Sequence, residues 1–245
     1  MNEVSSLTGR LLVATPVLAD PNFDRAVVLL LDHDAEGSLG VVLNRPTPVD
    51  VVDILEPWAA LAGEPGVVFQ GGPVSLDAAL GVAVVPASQG GRHAEGAPEP
   101  PGGGATASTS LRGGPGRGPG RDGDGVARGG RDGGGSDDGA DADGETRDGP
   151  LGWRRVHGAI GLVDLEAPPE LLAAELGSLR IFAGYAGWGP GQLEKELSEG
   201  AWYVVESEPG DVSSPSPERL WRSVLRRQRS ELAMVATYPD DASLN

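Results

Sequence analysis

Cysteine is absent from the 245-residue chain. Without it the protein can form no disulfide, offers no thiolate nucleophile and has no sulfur ligand for zinc or an iron–sulfur cluster. Also missing are an apolar run of the roughly 20 residues that span a membrane and, in the opening MNEVSSLTGR, the pattern of a secretion signal. We therefore expect a cytoplasmic protein with no membrane partner.

Basic residues are scarce, with 19 Lys and Arg against 36 Asp and Glu, which gives a net charge of −17. A field of this sign repels nucleic acid phosphates, so nucleic acid is not an expected partner unless positive charge is concentrated locally. The last predicted helix, SPERLWRSVLRRQR, carries the one candidate stripe. Its interpretation as a solvated helix face is favoured over DNA binding. The stripe consists of Arg222, Arg226 and Arg229, with Arg219 and Arg227 nearby.

Large apolar residues are almost missing from residues 87–149, a stretch rich in Gly, Arg and Asp. Such a segment cannot bury enough surface to offset the entropy of ordering, so a long disordered Gly-rich insert is predicted. Loop closure costs grow only with the logarithm of length. The sequence therefore predicts one domain over residues 1–245, with folded parts at about 7–86 and 151–238.

Short apolar runs bounded by turn residues predict strands at 11–15, 26–32, 39–44, 67–70, 80–85, 159–165 and 179–185. Between them, TPVDVVDILEPW predicts a helix capped by Thr47 that packs Val51, Val52, Ile54 and Leu55. PPELLAAELG predicts another helix, ended by Gly177. This alternation predicts an α/β fold, a single domain with a mixed β-sheet flanked by helices.

The stretch GYAGWGPGQLEKELSEG, from Gly184 to Gly200, places a glycine-rich loop before a helix. That arrangement resembles a phosphate-binding loop, but the spacing matches no such motif and the first helical turns carry acids. We favour a structural turn in which Gln192 reaches back to the helix start and Trp188 packs across. Gly187 and Gly189 are then expected to be needed for stability.

The candidate binding surface consists of Asn44, Arg45, Trp188 and Gln192. Asn44 and Arg45 end an apolar strand, a position where ligands of α/β sheets often bind. No catalytic residue, cofactor site or metal site is predicted, because His33 is interpreted as a hairpin-tip residue and His157 as a sheet residue. The third histidine, His93, lies in the insert.

Three segments identify a family resemblance: LTGRLLVATPVLADPNFDRAVVLLLDHDAEGSLGVVLNRP, GGPVSLDAAL and FAGYAGWGPGQLEKELSEGAWYVV. In this order they resemble the bacterial YqgE/AlgH family. The resemblance implies a single cytoplasmic α/β domain with a mixed sheet. It also implies a non-enzymatic binding or regulatory protein with an unknown protein partner, under a label of transcriptional regulator.

Two alternatives stay open for the function. The first is a small-ligand-binding protein or enzyme with a cleft near Asn44, Arg45 and the Gly184–Gly191 loop. The second is a DNA-binding transcriptional regulator that uses the arginine stripe. A small-molecule ligand is therefore compatible with the sequence, and neither the ligand nor the oligomeric state follows from it.

Overall fold

The computed structural model describes residues 6–18, 20–86 and 149–239. The residues described on both sides of the gap belong to one compact unit. The predicted insert at 87–149 lies outside the described residues except for Gly149.

Ten strands form a mixed sheet in the described part of the chain. Their order is β10-β1-β2-β3-β9-β6-β8-β7, with antiparallel neighbours throughout. Strand β5 runs parallel to β9 and pairs on its other side with β4. The strands are β1 Arg10–Ala14, β2 Val27–Asp34, β3 Gly37–Val42, β4 Pro46–Asp50, β5 Val67–Gln70, β6 Val74–Val84, β7 Trp153–His157, β8 Ile160–Val163, β9 Ser178–Trp188 and β10 Trp202–Glu206.

The helices are short, and α5, the longest described, has eight residues. The mixed sheet is thus confirmed, but the fold is dominated by strands rather than by regular strand–helix alternation. Antiparallel neighbours need only short connections, so few crossover helices are required. The helices are α1 Val51–Ile54, α2 Glu56–Ala59, α3 Gln192–Ser198, α4 Pro209–Val212, α5 Leu220–Arg227 and α6 Leu232–Val235.

Two predicted helices are wrong in extent. Residues from Pro46 pair with β5, and the Thr47 hydroxyl donates to the carbonyl of Val68 at 2.6 Å instead of capping a helix. The helix begins only at Val51, which leaves Val52 and Ile54 more than half exposed. In PPELLAAELG only Pro169–Leu171 forms a short 3-10 turn. In the first case, tertiary strand pairing overrides local helix propensity.

The sheet is covered on two faces, and β1 shows how. Leu11 and Val13 point into a core with Trp221 and Leu225 of α5, whereas Leu12 and Ala14 point into a core with Leu193 of α3. This division follows from the two-residue period of a strand. The predicted apolar side of the last helix is confirmed, since its four core positions are buried: Leu220, Trp221, Val224 and Leu225.

Strand β9 extends to Trp188, so the predicted loop from Gly184 to Trp188 is wrong. Gly184 has a φ of 70°, and a Cβ there would lie 2.7 Å from the carbonyl oxygen of Val74. At Gly187 the nearest atoms to an added Cβ are in the Tyr185 ring, at 3.6 Å, and at Gly189 only Gln192 is near, at 4.0 Å. The requirement for glycine therefore falls on Gly184, not on Gly187 or Gly189.

We expect Gly184→Ala to lower the free energy of unfolding by about 1–3 kcal/mol, because it combines a left-handed backbone with a steric clash. Gly187→Ala is the matched control on the same strand and should change it by no more than about 0.5 kcal/mol. Urea denaturation of both variants measures the difference. Equal losses for the two would contradict the assignment.

Candidate functional site

Two tryptophans from distant strands of the sheet meet beside α3. Trp188 ends β9 and pairs with Ser38 of β3, and Trp202 begins β10 and pairs with Ala14 of β1. Their ring centroids are 6.1 Å apart and nearly perpendicular. Phe23 completes the cluster, with its centroid 6.2 Å from Trp188 and 5.5 Å from Trp202. The curl of the sheet brings these side chains together.

A carboxylate of α3 is fixed between the two indoles. Glu196 Oε2 accepts hydrogen bonds from the Nε1–H groups of Trp188 and Trp202, both at 2.9 Å. Its other oxygen, Oε1, accepts from the Gln192 side-chain amide at 3.0 Å. Gln192 Oε1 in turn accepts from the backbone N–H of Gly189 at 3.1 Å. Three donors therefore hold one negative group in a defined place.

A partly enclosed cavity of about 160 Å³ lies against this cluster. Its apolar wall is formed by the three aromatic rings with Leu18 and Pro73, and its polar lining includes Asp20, Gln192 and Glu196. Among the residues that the structure describes, no lysine or arginine lines it. The cavity therefore combines aromatic surface with negative charge.

A second cavity, of about 310 Å³, shares Trp188 with the first. Three acidic residues line it, Asp32, Asp34 and Glu36, together with Gly37, Ser38 and Leu39. Asp34 Oδ1 accepts the backbone N–H groups of Glu36 and Gly37, so this carboxylate also closes the β2–β3 turn. Both cavities that Trp188 lines thus include acidic residues.

His33 does not lie at an exposed hairpin tip, as the sequence analysis expected. Strand β2 continues through it, and its inward position makes it 3% exposed while Asp32 and Asp34 face solvent. Its Nδ1 lies 2.8 Å from Ser38 Oγ. Its Nε2 has no hydrogen-bond partner in the described part and lies 3.7 Å from Glu194 Oε1.

Asn44 and Arg45 hold the backbone that precedes β2. Asn44 Oδ1 accepts from Val27 N, and its amide nitrogen donates to the carbonyl of Arg25, both at 2.9 Å. The Arg45 guanidinium donates to the carbonyl of Asp24. Burial lowers the pKa of Arg45, and the charge of Asp24 opposes that shift. Neither residue lines the Trp188 cavity, so the structure does not bring the four candidate surface residues together.

The predicted contact of the turn before α3, from Gln192 back to Gly189, is present. Gln192 reaches back to Gly189, although the helix begins at Gln192 with Gly191 as its N-cap. The helix ends before Gly200, which has a φ of 77°.

Two arginines of the predicted stripe region make contacts within the protein. Arg227 pairs with Asp211, and the Arg222 guanidinium donates to the carbonyls of Ala236 and Tyr238. Arg219, Arg226 and Arg229 are exposed. The stripe is therefore not a continuous set of outward-facing charges.

Across 6–18, 20–86 and 149–239, no cluster of three histidine or acidic side chains is arranged to hold a metal ion. The same ranges contain no helix whose length and apolar character would let it cross a membrane.

Sequence reasoning identified Trp188 and Gln192 at this cavity but missed Phe23, Glu196 and Trp202. One signal was present in the sequence: the segment from Trp188 to Trp202 places a glutamate at helical spacing from Gln192. A carboxylate four residues after a capping glutamine lies on the same face of the helix.

A family model described as AlgH-like matches residues 11–102 and 147–233. A UPF0301 protein of Streptomyces avermitilis is 71% identical over 245 residues, covering 100% of this chain and 98% of its own. One from Thermobifida fusca is 39% identical over 249 residues, covering 98% and 96%.

Two solved structures are similar in fold. A crystal structure from Corynebacterium diphtheriae has a TM-score of 0.68 and 25% identity, covering 97% of this chain and 95% of its own. The solution structure of AlgH from Pseudomonas aeruginosa has a TM-score of 0.51 and 21% identity, covering 99% of each chain. The solved structures show the shared fold, and the family model and the relatives confirm the resemblance: the chain belongs to the AlgH-like UPF0301 family.

Proposed function

We propose that this protein is a non-enzymatic binding protein that takes a cationic group, a methylated or primary ammonium, in the Trp188 cavity. The observation that supports it is the Glu196 carboxylate, held by two indole N–H groups at the wall of an aromatic cavity whose described lining includes no basic residue. An ammonium group is attracted both by this charge and by the ring faces.

The electrostatics of the Trp188 cavity favour a cationic ligand over an anionic one. Aromatic rings attract a desolvated cation by about 0.5–2 kcal/mol each. A carboxylate near a partly buried site adds more than it would in bulk water, because the local dielectric is lower. The net charge of −17 also steers cations toward the molecule. An anionic ligand would face Asp20 and Glu196 with no counter-charge in the lining.

The size of the cavity limits the group that enters. An apolar protein cavity of about 150 Å³ holds a benzene molecule, and this one measures about 160 Å³. A group of about six heavy atoms, such as trimethylammonium on a short stem, therefore fits.

The same chemistry has two sources, a free small cation or a basic side chain of a protein partner. The second source agrees with the protein partner and cytoplasmic regulatory role that the sequence analysis expected, and we retain them as part of the proposal. The DNA-binding alternative is disfavoured, because Arg222 and Arg227 are engaged internally. The phosphate-loop alternative is disfavoured because Glu194 and Glu196 follow the turn.

The test is a calorimetric titration with choline and with its neutral isostere, in which a tert-butyl group replaces the trimethylammonium. We expect choline to bind at least about tenfold more tightly, because only the cation gains the Glu196 charge and the ring faces. A peptide carrying trimethyllysine is the second probe. Preference for the peptide identifies a protein partner, and preference for choline identifies a free cation. Equal affinity for choline and its isostere contradicts the proposal.

A further inference from the structure

A different part of the sheet contains a buried cation to which the described residues supply no counter-ion. Arg180, near the start of β9, is 2% exposed. Its Nη2 donates to the carbonyls of Glu64, at 3.2 Å, and of Ser214. Its Nε and Nη1 are buried and have no hydrogen-bond partner among the described residues. Most of the donor capacity of this guanidinium is therefore unused.

A second unpaired group lies beside it. Ser178 precedes Arg180 by two residues on β9, and its buried Oγ also has no hydrogen-bond partner in the described ranges. Side chains two residues apart on a strand point to the same face of the sheet. The unpaired hydroxyl and the unpaired guanidinium N–H groups therefore lie on one face of one strand.

Among the described residues, no carboxylate pairs with the Arg180 guanidinium. The sequence offers 36 Asp and Glu residues, yet the contacts described for Arg180 are the two carbonyls and the Phe69 ring, whose centroid lies 4.3 Å from Cζ. Burial lowers the pKa of Arg180 to about 10. This is the direction expected for a buried cation that no nearby negative charge compensates.

Native proteins pair nearly all buried polar side-chain atoms, and buried charges in particular are paired or bind ions. Carbonyl oxygens supply only partial negative charge. The described residues give this buried arginine no carboxylate, so an external anion is a candidate source of the counter-charge.

We propose that Arg180 and Ser178 form a buried binding site for a small oxyanion, such as inorganic phosphate or a carboxylate group. The oxyanion accepts from the unpaired guanidinium N–H groups and from the Ser178 hydroxyl. The segment of Ser213 and Ser214 lies over Arg180, since the Ser214 carbonyl accepts from its guanidinium, and both residues are only half-buried. A local displacement of this segment admits the ion. The site is separate from the Trp188 cavity and binds the opposite charge.

The experiment is thermal unfolding of the full chain during titration with sodium phosphate, at constant ionic strength set by sodium chloride. We expect a saturable rise in Tm, of about 5–10 °C at a hundredfold excess over Kd, because the ion binds only the folded state. Sodium acetate is the second titrant. A larger response to acetate identifies a carboxylate ligand, and a larger response to phosphate identifies a phosphate group.

The variants are Ser178→Ala and Arg180→Met, with Arg154→Gln on β7 as the control at an exposed arginine. Both site variants should lose the saturable rise, and the control should keep it. General salt stabilisation acts on all variants alike and does not saturate. If Arg180→Met fails to fold, Ser178→Ala decides the matter, because it removes only a hydroxyl. Absence of a saturable rise in the native protein, or an unchanged rise in Ser178→Ala, overturns the proposal.

Discussion

Asp211→Ala is expected to lower the free energy of unfolding by about 1.5–3 kcal/mol, because it removes the main charged hydrogen-bond partner of the half-buried Arg227. Asp211 is 3% exposed and accepts from Arg227 through both carboxylate oxygens, and from the backbone N–H of Glu208 at 2.7 Å. Arg227 also donates to the Glu206 carbonyl at 2.7 Å. The Asp211–Arg227 ion pair thus connects α4 with α5, and the Arg227 guanidinium connects α5 with the end of β10.

Urea denaturation of four variants tests this ion pair: Asp211→Ala, Arg227→Met, the double variant and Asp211→Asn. Burial lowers the pKa of Arg227, but the hydrogen bond and charge of Asp211, with the charge of Glu208, raise it above the usual value. Arg227→Met added to Asp211→Ala should therefore recover part of the loss, since no uncompensated charge remains. Asp211→Asn should cost less than alanine, because it keeps an acceptor. Strictly additive losses in the double variant would refute the coupling.

Glu196→Leu is expected to abolish choline binding and to lower the free energy of unfolding by about 2–4 kcal/mol, since two buried indole N–H groups lose their acceptor. Trp188 and Trp202 are 6% and 5% exposed, so water cannot easily replace the carboxylate. Calorimetry measures the binding, and urea denaturation measures the stability.

Glu196→Gln separates the charge from the hydrogen bonds. The amide oxygen still accepts from an indole, so most of the stability should remain. The negative charge is lost, so choline affinity should fall by about tenfold or more. A glutamine variant that binds choline as the native protein does would show that Glu196 has only a structural role.

The strands near the N-terminus were predictable because their signal is local. Leu11 to Ala14 and Val27 to Leu31 are apolar runs bounded by turn residues, and they form β1 and β2 as expected. The helix expected from Thr47 was wrong because pairing of β4 with β5 depends on residues some 20 positions away, which propensity does not see. The same limit explains the extension of β9 through Gly184, whose φ suits a glycine in a distorted strand.

The candidate site was predictable only where its residues are close in the chain. Trp188 and Gln192 are four positions apart, and the turn between them has a helix-start pattern. Phe23 was out of reach, because it meets Trp202 only through the order of the strands and the curl of the sheet. His33 was misplaced for a related reason: a polar pattern predicts a turn, but the strand alternation continues to Asp34 and buries the ring.

The most direct measurement is a proton–nitrogen NMR titration of the indole N–H groups of the five tryptophans with choline. Trp58 serves as the internal reference, because its Nε1–H group donates to the carbonyl of Leu165 and its ring packs in a different core from Trp188 and Trp202. We predict saturable shifts for Trp188 and Trp202, strongly reduced shifts with the neutral isostere, and little change at the reference. Unchanged Trp188 and Trp202 resonances at saturating choline, or equal shifts with the isostere, would contradict a cation-binding cavity.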